Sequence, residues 1–109
     1  MHQMQNELQL KLDVQANGVE VNDYLKRKIY NMIKKLKRLL PEVNWMDVYM
    51  TTNEEKPNPR TIVFRMGIPG NDVVASDSGS QWKHILKNIE KRVIRQLEKK
   101  KLTIPGIMK

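Results

Sequence analysis

Four segments of the chain carry apolar residues at every second position. This spacing is typical of strands that bury one face and expose the other. In the first segment, for example, Leu8, Leu10, Leu12 and Val14 alternate with polar residues. The predicted strands cover residues 7–15, 46–50, 62–68 and 72–77.

Two longer segments repeat apolar residues at steps of three and four, the spacing of one helix face. The first predicted helix covers residues 22–40, with Asn22 as its N-cap and Pro41 after its end. The second covers residues 80–101, and Ser78 or Ser80 is expected to cap it.

The predicted order is β-α-β-β-β-α, an α+β fold. The helix between the first two strands favours their parallel pairing, and the later strands would form an antiparallel meander. Pro69-Gly70 has the residue types of a type II turn. We expect a four-stranded sheet with both helices packed on one face. A single domain spans residues 1–109, with a core over about residues 7–101 and an extended tail at 102–109.

Composition excludes several classes of protein. Hydrophobic residues make up 39% of the chain and Cys is absent, so we expect a folded core without disulfides or thiolate metal sites. No apolar run reaches the ~18 residues of a membrane span, and residues 1–8 do not resemble a signal peptide. A cytoplasmic protein that is neither secreted nor membrane-spanning is therefore expected.

Positive charge is concentrated in the two predicted helices. The chain has a net charge of +8. The first helix has seven cations and one acid, a net of +6; the second has eight cations and two acids, also +6. The remaining residues sum to −4. Helices that lie side by side would present about +12 on one surface, which favours a polyanion. Nucleic acid is the first candidate and an anionic membrane surface the second, so we expect an RNA partner and no membrane partner.

An ordinary solvated helix face is the competing interpretation of this charge. Lys83, Lys87, Lys91, Arg95 and Lys99 form an i,i+4 series. Like charges at that spacing cost about 1 to 2 kcal/mol over four steps, so a polyanion that relieves the repulsion explains them better. The candidate RNA-binding residues are Lys26, Arg27, Lys34, Lys35, Arg38, Lys83, Lys87, Lys91, Arg92, Arg95, Lys99, Lys100 and Lys101.

Catalytic chemistry has little support in the sequence. Asp77, Ser78, Ser80 and His84 could imitate a triad, but helix capping explains the serines. The amides of Ser78-Gly79-Ser80 could instead receive a phosphate. There is no phosphate-binding Gly-Lys-Ser/Thr loop, and only two His are present. We expect no enzyme activity, cofactor, metal or small-molecule substrate.

Two other binding functions remain open. A general double-stranded RNA-binding domain has a similar α-β-β-β-α core and reads the shape of A-form RNA. Alternatively, Trp45 and Tyr49 would both point to the open face of the sheet from the second strand, so that face could bind an acidic protein. An RNA recognition motif is disfavoured, because it requires another strand order and an aromatic-rich strand.

Three stretches, in the same order along the chain, resemble the sequences of a known family. They are Val-Glu-Val-Asn-Asp-Tyr-Leu-Lys at residues 19–26, Ile-Pro-Gly with Ala-Ser-Asp at 68–70 and 75–77, and Arg-Val-Ile-Arg-Gln-Leu-Glu-Lys-Lys-Lys at 92–101. With the element order, they resemble short members of the ribosome hibernation promoting factor and ribosome-associated inhibitor family. The segment Ser-Gly-Ser-Gln-Trp-Lys-His at 78–84 departs from the acidic residues and Met-Tyr-Ala common in relatives.

This resemblance implies a non-catalytic protein that silences translation under stress. It would bind rRNA in the decoding cleft of the small ribosomal subunit, where mRNA and tRNA otherwise sit. The resemblance assigns rRNA contacts to Lys26, Arg92, Arg95, Lys99 and Lys101, and the other candidate cations rest on charge alone. We expect a monomer off the ribosome, without the second domain by which long members pair ribosomes.

Overall fold

The computed structural model describes residues 10–99, which form six elements. They are β1 (Lys11–Asn17), α1 (Asp23–Leu39), β2 (Trp45–Thr52), β3 (Arg60–Ile68), β4 (Asn71–Gly79) and α2 (Trp82–Lys99). The predicted β-α-β-β-β-α order and α+β class are confirmed. Residues 7–9 of the predicted first strand, Lys100, Lys101 and the predicted tail at 102–109 lie outside the described residues.

The four strands form one mixed sheet in the order β1-β2-β3-β4. β1 and β2 are parallel, with Leu12 opposite Met46, as the intervening helix predicted. β2 and β3 are antiparallel, as are β3 and β4, and Phe64 lies between Val48 and Ala75. The strands are longer than predicted at several ends because pairing continues through polar residues. Asn17, for example, still pairs with Thr51.

Both helices cover the same sheet face, where a single hydrophobic core forms. On the strands the buried side chains of the core occupy alternate positions on one face, including Met46, Val48 and Met50 on β2. The helices contribute stripes at steps of three and four, and these residues join the strand residues in one cluster. The stripes are Leu25, Ile29, Met32, Ile33 and Leu36 on α1, and Ile85, Leu86, Ile89, Val93 and Leu97 on α2. Burial of these stripes leaves the polar faces of both helices on one outer surface.

Local signals set both ends of α1 and the turn between β3 and β4, as expected. The Asn22 side chain accepts a hydrogen bond of 2.8 Å from the Leu25 amide and caps α1. The Leu40 amide donates to the Leu36 carbonyl at 2.9 Å, which ends the helix before Pro41. In the turn between β3 and β4, Gly70 has a φ of 82°, as the third position of a type II turn requires.

The start of α2 differs from the prediction. The helix begins at Trp82, and the Gln81 carbonyl accepts the 3.2 Å hydrogen bond from the Ile85 amide. Gln81 therefore takes the N-cap position, and the expectation that Ser78 or Ser80 would do so is wrong. Ser78 belongs to β4, where its hydroxyl lies 2.8 Å from the Thr61 hydroxyl.

Candidate nucleic-acid interface

α1 keeps its cations on the side away from the sheet, because its apolar stripe is buried against the core. Most of them are exposed to solvent. Lys37 is the exception: it donates hydrogen bonds of 2.7 Å to the Pro41 and Val43 carbonyls at the end of the helix. The exposed cations of α1 are Lys26, Arg27, Lys28, Lys34, Lys35 and Arg38.

A groove of about 510 Å³ runs between the outer faces of α1 and α2. Met32 and Leu86, which belong to the core, also line this groove. Two lysines from each helix line its sides, together with Asn31, His84 and Glu90. These lysines are Lys28 and Lys35 on α1 and Lys83 and Lys87 on α2. The predicted pooling of cations from two helices is therefore realised here, and we call this feature the interhelical groove.

One acid lies in the interhelical groove. The Glu90 carboxylate accepts a hydrogen bond from the Lys35 ammonium, and the two atoms are 2.7 Å apart. This ion pair joins α1 to α2 across 55 residues of sequence. Lys28, Lys83 and Lys87 have no ion-pair partner among residues 10–99, so the groove remains positive.

The i,i+4 series of α2 does not form a straight row. At 100° per residue each step of four turns the side chain by about 40° around the helix, so Lys83 and Lys99 differ by about 160°. Lys83 and Lys87 line the interhelical groove. Arg95 and Lys99 line a second concave surface against β4. Lys91, which lies between Lys87 and Arg95 in the sequence, is exposed. The series therefore wraps across the solvent side of α2.

Arg92 faces the sheet edge and is already paired. Its guanidinium lies 3.2 Å from the Asp77 carboxylate and also donates to the Ser76 carbonyl. Asn88 donates to the other Asp77 oxygen at 3.0 Å, and Gln96 donates to the Val74 carbonyl. Three successive i,i+4 side chains of α2 thus cover the polar edge of β4, which protects this edge from pairing with another strand.

Two features of this surface were not predicted from the sequence. Lys28 was absent from the candidate residues, although it is seven positions from Lys35 and therefore on the same helix face, which was an available signal. The second feature is an aromatic pair, Tyr24 and Trp82, which line one concave surface at the N-terminal ends of α1 and α2. Their separation in sequence gave no signal that they would meet. Lys100 and Lys101, predicted as RNA-binding, lie outside the described residues.

The residues that could imitate a catalytic triad do not come together. Asp77 is engaged with Arg92 and Asn88, Ser78 lies in β4 beside Thr61, and His84 lines the interhelical groove. Within residues 10–99 no group of three or more His, Asp or Glu side chains is placed to hold a metal ion. Neither helix in this range is long and apolar enough to cross a bilayer.

The opposite sheet face has a different character. Trp45 and Tyr49 do share its parity, as predicted, but only Tyr49 is substantially exposed. Trp45 packs over Gly67, the residue opposite it on β3. The charged residues of this face among the described strands are Lys11, Asp13, Asp47, Arg65 and Asp72. With three carboxylates against two cations, this face suits a polyanion less well than the helices do.

The fold is similar to that of two solved structures. One is a ribosomal subunit interface protein from Coxiella burnetii, with a TM-score of 0.70 and 17% identity, covering 84% of this chain and 98% of that chain. The other is the N-terminal domain of Protein Y from Thermus thermophilus, with a TM-score of 0.67 and 12% identity, covering 83% of this chain and 96% of that chain. The sequence matches no protein-family model and no curated protein. The family resemblance is therefore supported at the level of the fold.

Proposed function

We propose that this chain is a ribosome-associated translation inhibitor that binds small-subunit rRNA through its two basic helices. In this proposal it occupies the decoding cleft, excludes mRNA and tRNA, and silences translation under stress. It acts in the cytoplasm as a monomer off the ribosome, by occupancy and without catalysis. The fold, shared with a ribosomal subunit interface protein, is consistent with a ribosomal partner.

The observation that carries the proposal is the convergence of lysines from α1 and α2 on one groove. Lys28, Lys83 and Lys87 line it without ion-pair partners among residues 10–99. Ammonium groups that lack a carboxylate partner repel one another across neighbouring helices, and RNA phosphates would relieve that repulsion. Phosphate contacts carry no base sequence, so the groove would recognise the shape of a folded RNA.

The outer cations extend this surface in two directions. Lys26, Arg27, Lys34 and Arg38 are exposed on α1, and Lys91, Arg95 and Lys99 are exposed on α2. All remain candidate phosphate contacts in the proposal. Arg92 contributes differently: since it already pairs with Asp77, we assign it to holding α2 against β4.

Cosedimentation with purified small subunits tests the proposal. We expect association that weakens steeply between roughly 50 and 200 mM salt. The double variant Lys28→Glu/Lys87→Glu should abolish it. The control Lys11→Glu/Lys56→Glu makes the same change in net charge at exposed residues outside the helices, and it should still bind.

Three results would contradict the proposal. They are association that is indifferent to salt, equal loss of binding in the control, and survival of binding in the groove variant. A naked RNA duplex that competes as well as the subunit would favour a general double-stranded RNA-binding function instead.

A further inference from the structure

A second recess lies beside the interhelical groove, at the N-terminal ends of α1 and α2. It has a volume of about 480 Å³, within the range of small-ligand sites. Tyr24 and Trp82 line it together with Leu25, Arg60, Lys83 and Glu20. Tyr24 is 52% exposed, the largest exposed fraction among the exposed large hydrophobic residues described. We call this recess the aromatic pocket.

Cations lie against both aromatic rings. The Lys28 ammonium is 5.4 Å from the centre of the Tyr24 ring, and the Arg60 guanidinium carbon is 5.9 Å from the Trp82 ring. Arg60 also donates to the Ser80 carbonyl at 2.6 Å, which fixes its position beside Trp82. Exposed aromatic rings next to cations are the arrangement that binds unpaired nucleotides, because bases stack on the ring while the cations attract phosphates.

The aromatic pocket and the interhelical groove form one continuous surface. Lys83 lines both, and Lys28 lines the groove while lying over Tyr24. An RNA strand that leaves the groove therefore meets the aromatic pocket next. Glu20 in the pocket and Asp23 in the first turn of α1 add negative charge at this end. That charge disfavours a phosphate inside the pocket more than it disfavours a neutral base.

We infer that the aromatic pocket takes an unpaired nucleobase of the RNA whose backbone lies in the interhelical groove. The preferred ligand is then a duplex that carries a single-stranded extension. Tyr24 supplies the stacking surface, and Lys28 and Lys83 bind the phosphates that flank the base. This inference rests on the proposed function, because it assumes that the groove binds RNA.

A pair of RNA hairpins tests the inference in solution. One hairpin is blunt and the other carries a short single-stranded overhang. We expect the wild-type protein to bind the overhang hairpin about 5- to 150-fold more tightly, the range that stacking of one base supplies. Abasic nucleotides in the overhang should remove this preference while keeping the phosphates.

Substitutions at Tyr24 test the contribution of its aromatic ring to RNA binding without changing the charge of the groove. Tyr24→Leu should lose the preference for the overhang, and Tyr24→Phe should keep it. The salt dependence should not change in either variant, because stacking releases no counterions. Tyr49→Leu is the matched control, since Tyr49 is 40% exposed on the opposite sheet face. It should behave as wild type. Circular dichroism confirms that each variant is folded.

The outcomes distinguish this inference from the proposed function. If both hairpins bind equally and salt weakens both, the groove binds RNA and the aromatic pocket does not. If the Tyr49 variant loses the preference and the Tyr24 variant keeps it, the base stacks on the sheet face and the inference fails. If neither hairpin nor the small subunit binds, the proposed function fails and the inference fails with it.

Discussion

Lys87 and Arg92 are five residues apart on α2, so their side chains leave the helix about 140° apart. Lys87 lines the interhelical groove, whereas Arg92 pairs with Asp77 at the edge of β4. Substituting each with Met removes the charge and all donors but keeps an unbranched apolar chain. We expect Lys87→Met to weaken RNA binding and Arg92→Met to weaken the fold.

The magnitude for Lys87→Met follows from counterion release. One phosphate contact contributes about 0.9 to the slope of log affinity against log salt. Loss of that contact should make the affinity deficit about 3.5-fold larger at 50 mM than at 200 mM salt. The free energy of unfolding should stay within about 0.5 kcal/mol of wild type, because Lys87 is exposed and unpaired among the described residues.

The magnitude for Arg92→Met follows from its contacts. The variant loses the ion pair with Asp77 and the hydrogen bond to the Ser76 carbonyl. The Arg92 side chain is 50% exposed, so solvent screens part of this interaction, but the Asp77 side chain is only 12% exposed. Asp77 would keep Asn88 as a partner. We expect a loss of about 1 to 2 kcal/mol in the free energy of unfolding.

Urea unfolding followed by circular dichroism measures stability, and fluorescence anisotropy of a labelled rRNA fragment measures binding at several salt concentrations. An Arg92→Met variant that has an unchanged unfolding midpoint, and a salt slope lowered as much as in Lys87→Met, would refute both expectations. Arg92 would then contact RNA, as the family resemblance implies, and its pairing with Asp77 would open on binding.

Two further predictions concern single residues. Glu90→Gln frees Lys35 from its 2.7 Å ion pair. We therefore expect tighter rRNA binding and a salt slope steeper by about 0.9, measured by the same anisotropy titration. An unchanged slope would mean that Lys35 reaches no phosphate. Gly67→Ala places a methyl group 1.9 Å from the Trp45 indole nitrogen. We expect the free energy of unfolding in urea to fall by about 1 to 3 kcal/mol. Adding Trp45→Leu removes the clash and should largely restore it. Equal stability of Gly67→Ala and wild type would show that Trp45 repacks without cost.

The sequence by itself determined the elements and their order. Met46, Val48 and Met50 alternate because every second residue of a strand meets the core, and Leu25 and Ile29 recur because a helix returns to the same face after about four residues. Such patterns depend only on neighbours along the chain. The same locality explains why Asn22 was identified correctly as a cap. The start of α2 was misplaced because Ser78, a good capping residue, is held in β4 by its pairing with Thr61.

Which cations act together was decided only by the tertiary structure. Counting charges along α2 treats Lys87 and Arg92 alike, yet one lines a groove with α1 and the other is paired with a carboxylate from β4. Lys35 meets Glu90 across 55 residues of sequence. Electrostatic pairing depends on distances of a few ångströms in space, and those distances are set by how the helices cross the sheet. The pattern of residues along the chain does not predict those distances.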